Sequence, residues 1–133
     1  ESFDSNGNNY IINSDSGTFS DNNKEEILMT NVTALIILKN GNKITLKSKN
    51  ANYNTQNSNT RFFYDVELDY LNHRINSDNI DIFFTESKLE AYNNLVYRNS
   101  DINLIADKVQ LDLLTKNTKI FMFDNSKVKI IKD

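Results

Sequence analysis

The chain has 133 residues, 38% of them hydrophobic and 25% charged, a formal net charge of −3, three glycines, and no proline, cysteine or tryptophan. That is one domain's worth of chain, able to bury roughly two-thirds of the surface it exposes unfolded. The missing cysteines exclude disulfides, thiolate catalysis and zinc–thiolate sites; there is no basic stripe of a nucleic-acid binder, and the longest uncharged apolar run, Thr33–Leu38, is far too short to span a bilayer.

Residues 1–9 are polar and read as a disordered tail, leaving 10–133 as a single domain. From Ile12 to Phe19 the apolar residues follow a strand period. Leu28, Thr30, Val32, Ala34 and Ile36 alternate next; Glu25–Met29 could open a helical turn, but the adjacent Val and Ile favour strand. Leu46 to Tyr53 follows, then Phe62, Tyr64, Val66, Leu68 and Tyr70. Ile75, Ser77, Ile80 and Ile82 alternate with one slip of phase, as do Leu104, Ala106, Val109 and Leu111. Such a slip is what a β-bulge or bend produces. Between them Leu89, Ala91, Leu95 and Tyr97 alternate, with Asn93 breaking the pattern. Ile120 and Met122 precede Val128 and Ile130. The joins are polar and turn-like: 21–23, 40–42, 54–59, 72–73, 99–101 and 116–117.

These strands form a repeat. Ser14-Asp-Ser-Gly17-Thr-Phe19 aligns with Ser48-Lys-Asn-Ala51-Asn-Tyr53, with Ser77-Asp-Asn-Ile80-Asp-Ile82 and with Ala106-Asp-Lys-Val109-Gln-Leu111. The shared pattern is small, polar, any, apolar, any, large apolar. Seventeen residues after the first three starts come Asn31-Val32, Asp65-Val66 and Asn94-Leu95. The fixed offset to a second pattern marks a true repeat of hairpins. The expected fold is all-β: an open jellyroll of repeated antiparallel hairpins with two facing sheets, in preference to a closed barrel, because like-to-like stacking leaves its end strands unpaired.

The pattern small-x-x-apolar-x-aromatic, a turn, then apolar-x-apolar-x-Asn/Asp-Val resembles the repeat of the OstA-like family of lipopolysaccharide-export proteins. Leu46-Lys-Ser48-Lys-Asn-Ala51-Asn-Tyr53 running into Phe62-Phe-Tyr64-Asp-Val66 carries the resemblance, as does Ile102-Asn-Leu104-Ile-Ala106-Asp107-Lys-Val109-Gln-Leu111 running into Ile120-Phe-Met122-Phe. With the opening Asn9-Tyr10-Ile-Ile-Asn it covers roughly residues 9–131. Within the family the chain is most similar to the inner-membrane-anchored LptC branch, with the soluble LptA-like bridge as the alternative. The family's turns are commonly glycine-rich; here Asn stands in them, the non-glycine residue that best tolerates a left-handed backbone. The resemblance implies a periplasmic protein that binds lipopolysaccharide and passes it from the inner-membrane transporter to an LptA-like bridge protein, held by an anchor outside this chain. It implies acyl chains riding between the two sheets.

The inward set expected to line that groove is Ile12, Phe19, Leu46, Tyr53, Phe62, Tyr64, Val66, Leu68, Ile75, Ile82, Leu95, Leu104, Leu111, Ile120 and Met122. For most of these simple core packing is the bland reading. By position, the last strand, Lys127, Val128, Lys129, Ile130 and Ile131, would meet the bridge protein, and Tyr10, Ile11 and Ile12 would meet the transporter, each by strand addition. Alternating Lys on such a strand equally serves to block unwanted pairing.

Catalysis has little support. His73 is the only histidine and lies in a turn beside Arg74. The pairs Asp78/Asp81, Glu86/Glu90 and Asp107/Asp112 are expected on a solvated face, and Asp101, Asp107 and Asp112 lack the spacing of a calcium loop. No cofactor, metal or nucleic acid is expected. Lys43, Lys47 and Lys49 are near one another and read as solvated. The competing functional class is a structural or adhesive β-repeat domain binding polysaccharide. It calls for exposed aromatics in a row, whereas the outward candidates Phe63, Tyr92 and Phe121 are scattered among the repeat units.

Overall fold

A computed structural model describes residues 2–3, 7–115, 117–121 and 129–132. It contains strands and no helix among them: β1 (Ser2–Phe3), β2 (Asn9–Phe19), β3 (Glu26–Ile37), β4 (Lys43–Asn54), β5 (Thr60–Tyr70), β6 (His73–Phe83), β7 (Lys88–Arg98), β8 (Ile102–Asp112), β9 (Thr118–Phe121) and β10 (Lys129–Lys132). All pairings are antiparallel, and the sheet order follows the chain from β1 to β8, where β10 and β9 both pair. The all-β, hairpin-after-hairpin stack expected from the repeat is therefore the fold. No pairing joins the two ends among the described residues, so the sheet stays open.

The two facing sheets are the two halves of one sheet. Each long strand bends in its middle, and the bends coincide with the repeat. Ser48, Ser77 and Ala106 are buried at the bends of β4, β6 and β8. Each of these strands resumes its inner face three residues on, at the buried Ala51, Ile80 and Val109. In the odd strands the bends carry left-handed residues: Asn31 in β3, Tyr64 and Asp65 in β5, Asn93 and Asn94 in β7. The register shifts by one residue at the β5 and β7 bends, as in a bulge. We term the half containing 9–14, 32–37, 43–48, 66–70, 73–77, 95–98, 102–106 and β10 the first leaf. The other half, ending in β9, is the second leaf.

Residues directly opposite in antiparallel strands share a face, so the register defines rows across each leaf. One inner row of the first leaf is Ile12, Ala34, Leu46, Leu68, Ile75, Tyr97 and Leu104. One inner row of the second leaf is Met29, Ala51, Phe62, Ile80, Ala91, Val109 and Ile120. Facing rows close on one continuous core, in which Phe62, Leu46, Ile44, Leu89 and Leu95 are fully buried.

Asparagine builds the turns. Asn23, Asn40, Asn54, Asn57 and Asn99 each accept, through Oδ1, a backbone N–H two residues ahead, at 2.8–2.9 Å. These side chains mimic the turn hydrogen bond that the scarce glycines would otherwise leave to backbone geometry.

Part of the expected disordered tail belongs to the sheet. β1 pairs with β2 at Ser2↔Tyr10 and Phe3↔Asn9, and Asn8 is buried with its Oδ1 accepting from the Lys39 N–H at 3.1 Å.

Candidate functional site

The inner face opens at both ends of the stack. At the β2 end a cavity of about 220 Å³ is lined by Tyr10, Ile12, Met29, Ile36, Tyr53 and Phe84, with the Tyr10 and Phe84 rings in edge contact at 4.8 Å. At the β8 end a cavity of about 330 Å³ lies between Leu68, Ile75 and Leu104 of the first leaf and Val109, Leu111 and Ile120 of the second. Its lining is almost wholly apolar. Three polar-tipped rings edge it: His73 stacks between Tyr70, at 6.3 Å, and Tyr97, at 5.6 Å, and its Nδ1 is hydrogen-bonded to the Tyr97 hydroxyl. The β8-end mouth thus has the composition that takes hydrocarbon, apolar walls with a few polar atoms at the rim, whereas the β2-end mouth is of mixed polarity.

The groove residues expected from the sequence divide by position. Ile12, Tyr53 and Ile82 line the first cavity. Leu68, Ile75, Leu104, Leu111 and Ile120 line the second. Leu46, Phe62, Val66 and Leu95 lie between them and are packed shut, with at most 1% exposure. The two cavities are therefore separated by packed core.

Tyr64 does not face inward. Strict alternation through Phe62, Tyr64 and Val66 would place it there, but the β5 bulge inserts two left-handed residues, φ 66° at Tyr64 and 53° at Asp65, and turns the ring outward to 63% exposure. Phe19 is on the inner face by register, opposite Ile27, which is opposite Tyr53. It is nonetheless 57% exposed, because its row ends at β2. Tyr10, expected on an interaction edge, is core at 6% exposure, while Ile11 and Ile12 are half-buried. Met122, Lys127 and Val128 lie outside the described residues; Lys129, Ile130 and Ile131 are in β10, opposite Ile105, Leu104 and Asn103. The sequence reading passed over Tyr10, Ile36, Tyr70 and Tyr97 as lining residues. Tyr97 completes the row of Ile75 and Leu104, and Tyr10, Ile36 and Tyr70 form the next inner row with Ile44, two residues along each strand, where continued alternation places them.

The sheet ends differ. Beyond the two residues covered by β1, β2 has no neighbour on its outer side among the described residues. At the other end β10 continues the first leaf and β9 the second.

The outer face of the second leaf corrects two expectations. Asp81 is not solvated: its carboxylate is 11% exposed, accepts from Arg61 Nε at 3.2 Å and from the Tyr92 hydroxyl at 3.0 Å. Asp81 beside it raises the Arg61 pKa; burial, and then Asp81, raises that of Tyr92. Glu90 is also largely covered; burial pushes its pKa up, but donors on Gln110, Lys88 and Lys108 outweigh that and hold it below the usual carboxylate value. Phe63, Tyr92 and Phe121 are not scattered either. Phe63↔Asn79, Asn79↔Tyr92, Tyr92↔Lys108 and Lys108↔Phe121 are successive register pairs, so the three rings share one row.

Among the described residues no group of three or more His, Asp or Glu side chains is placed to hold a metal ion. What the geometry offers is binding surface: an open antiparallel jellyroll with a cavity at each end, the one at the β8 end almost wholly apolar.

The chain can now be compared with known proteins. No protein-family model matches it, and no curated protein sequence matches it. Among solved structures the fold is similar to that of LptH from Pseudomonas aeruginosa, described as the LptA homologous periplasmic component of the conserved lipopolysaccharide transport device. The TM-score is 0.67 over 92% of this chain and 94% of that one, at 8% sequence identity. The likeness is one of fold, over nearly the full length of both.

Proposed function

We propose that this chain is a non-catalytic periplasmic carrier that binds lipopolysaccharide by its acyl chains and hands it along an export bridge. The apolar cavity between Leu68, Ile75, Leu104 and Ile120 carries the reading, because it sits where the two leaves meet at an open end of the stack. Burying a hydrocarbon chain there gains about 25 cal/mol per Å² of apolar surface and needs no reacting group. The fold it shares with LptH supports the same assignment.

The finer role we assign is that of the LptC-like member. The β2 edge then receives lipid from the inner-membrane transporter, and β10 continues the sheet into an LptA-like partner by strand addition. The likeness to LptH favours a second reading, in which the chain is itself a soluble bridge unit with a copy or homologue at either edge.

Photoreactive residues at Tyr53 and Leu104, one per mouth, test the carrier reading in membranes bearing the transporter. Both should crosslink to lipopolysaccharide, and a probe at exposed Thr45, on the outer face of the first leaf, should not. Absence of adducts at Tyr53 and Leu104 overturns the proposal. A crosslink from Ile11 in β2 to the transporter supports the LptC-like role; its absence, with lipid adducts retained, assigns the bridge role.

A further inference from the structure

We propose that the outer face of the second leaf is a binding platform for a neutral oligosaccharide chain, separate from the acyl cavity and independent of the carrier reading. The row across this face is Asn50, Phe63, Asn79, Tyr92, Lys108 and Phe121, one residue per strand from β4 to β9. Aromatic rings therefore fall on every second strand, about 10 Å apart given the spacing between neighbouring strands. That is close to the length of a disaccharide. Between the rings stand an amide and an ammonium, which hydrogen-bond hydroxyl groups.

The neighbouring outer row supplies further planar polar groups: Asn52, Arg61, Asp81, Glu90 and Gln110. Where the rows meet at β5 and β6, an open trough of about 580 Å³ is lined by Asn52, Arg61, Phe63, Tyr64, Asp78 and Asn79. The Phe63 and Tyr64 rings stand edge to face at 5.1 Å along its side. The left-handed backbone at Tyr64 is what puts that ring there. A second polar hollow of about 250 Å³ shares Asn52 and Arg61 and extends the trough toward the 54–59 turn.

Charge selects the ligand class. Arg61 is matched by Asp81, and Glu90 by Lys88 and Lys108. Lys88 and Lys108 share Glu90, and Lys119 stands on the same outer row, so the positive excess is thin and spread along one edge, far from the dense run of cations that a phosphate backbone or a polyanion calls for. Its rings are separated by polar side chains, unlike the dry contiguous centre of a protein–protein contact. A pyranose chain presents what such a surface takes: C–H faces at regular intervals for the rings, and hydroxyls between them for amide, guanidinium and carboxylate groups. Tyr92 is positioned for this by its hydroxyl bond to Asp81.

The test is affinity gel electrophoresis of the full chain through laminarin, dextran and galactomannan, with chitin hexamer titrated by calorimetry. The chain should be retarded by at least one polymer, and Phe63→Ala and Tyr92→Ala should each weaken that binding about tenfold, the scale of one lost ring contact. Tyr64→Ala, at an exposed site that does not threaten folding, should weaken it as well. Displacement of a fluorescent fatty acid from the inner cavity should be unchanged in all three variants, which separates this surface from the acyl site. Sugar can also arrive as the headgroup of a bound lipid, so lipid-bearing and lipid-free glycans are run in parallel. Retention of the lipid-free polymers supports the platform. No retardation by any of the four glycans, retardation that survives all three substitutions, or binding confined to lipid-bearing glycan and abolished by fatty acid would overturn it.

Discussion

Asn94 donates through Nδ2 to Asp78 Oδ2 at 2.6 Å across the bend of the β6–β7 pair. The same bend in the first unit is crossed by Asn31 and Asp15 at 2.8 Å, and in the second by Asp65 and Lys49 at 2.9 Å. In each case the polar residue of the first pattern meets the left-handed residue of the second, sixteen positions later. The fixed offset between the two sequence patterns is thus the length of a hairpin measured from bend to bend.

Asn94 has two tasks, a left-handed φ of 51° and the bond to Asp78. Asn94→Gly keeps the backbone and loses the bond; Asn94→Ala loses the bond and adds a steric cost of about 1 kcal/mol. In urea denaturation the expected order of stability is wild type, then Gly, then Ala, with Ala about 1–2 kcal/mol below wild type. Equal stability of the Gly and Ala variants would deny the backbone a role.

The β5–β6 loop is two residues long, with Leu71 at φ 54° and 68% exposed. A leucine there bears the left-handed strain and buries little in return. Leu71→Gly relieves more strain than it adds in unfolded-chain entropy and should stabilise by about 0.5–1 kcal/mol. A thermal melt that moves down would show that the side chain contributes more than its exposure suggests.

Ile120 is 41% exposed at the rim of the larger cavity. Under the carrier proposal, Ile120→Asp puts a charge at the rim of the acyl cavity and should weaken fatty-acid or lipid A binding about tenfold or more while leaving the melt nearly unchanged. Lys119→Asp, one position along and on the outer row, should leave lipid affinity intact. Equal losses in the two variants would point to general electrostatics and not to the cavity.

Glu90 is held below its ordinary pKa by Gln110, Lys88 and Lys108, against the opposing effect of burial. A carboxylate lowered in the folded state adds stability that is present above the unfolded value of about 4.3 and is lost as pH falls through the folded one. Glu90→Gln should therefore flatten the acid side of the stability–pH curve below about pH 5 and leave its slope near neutrality unchanged. Chemical denaturation at a series of pH values reads this directly; an unaltered acid limb would place the responsible carboxylate elsewhere.

The strands, the hairpin order, the bends and most of the core were legible in the primary structure, because alternation of apolar residues dictates which face is buried and each unit repeats it. Phe62, Leu46, Ile75 and Leu104 are inward for that local reason. Tyr64 was not legible, since Phe62 and Val66 on either side keep the inward parity and only the left-handed backbone at Tyr64 and Asp65 turns the ring between them outward. Nor was the exposure of Phe19, which depends on the row ending at β2, nor the burial of Asp81, which depends on Arg61 and Tyr92 arriving from neighbouring strands. Local pattern determined the sheet and its inner face. Only the stacking of seven long strands decided which residues stand side by side across it, bringing Phe63, Tyr92 and Phe121 into one row and leaving a cavity at each end of the stack, where no further long strand pairs among the described residues.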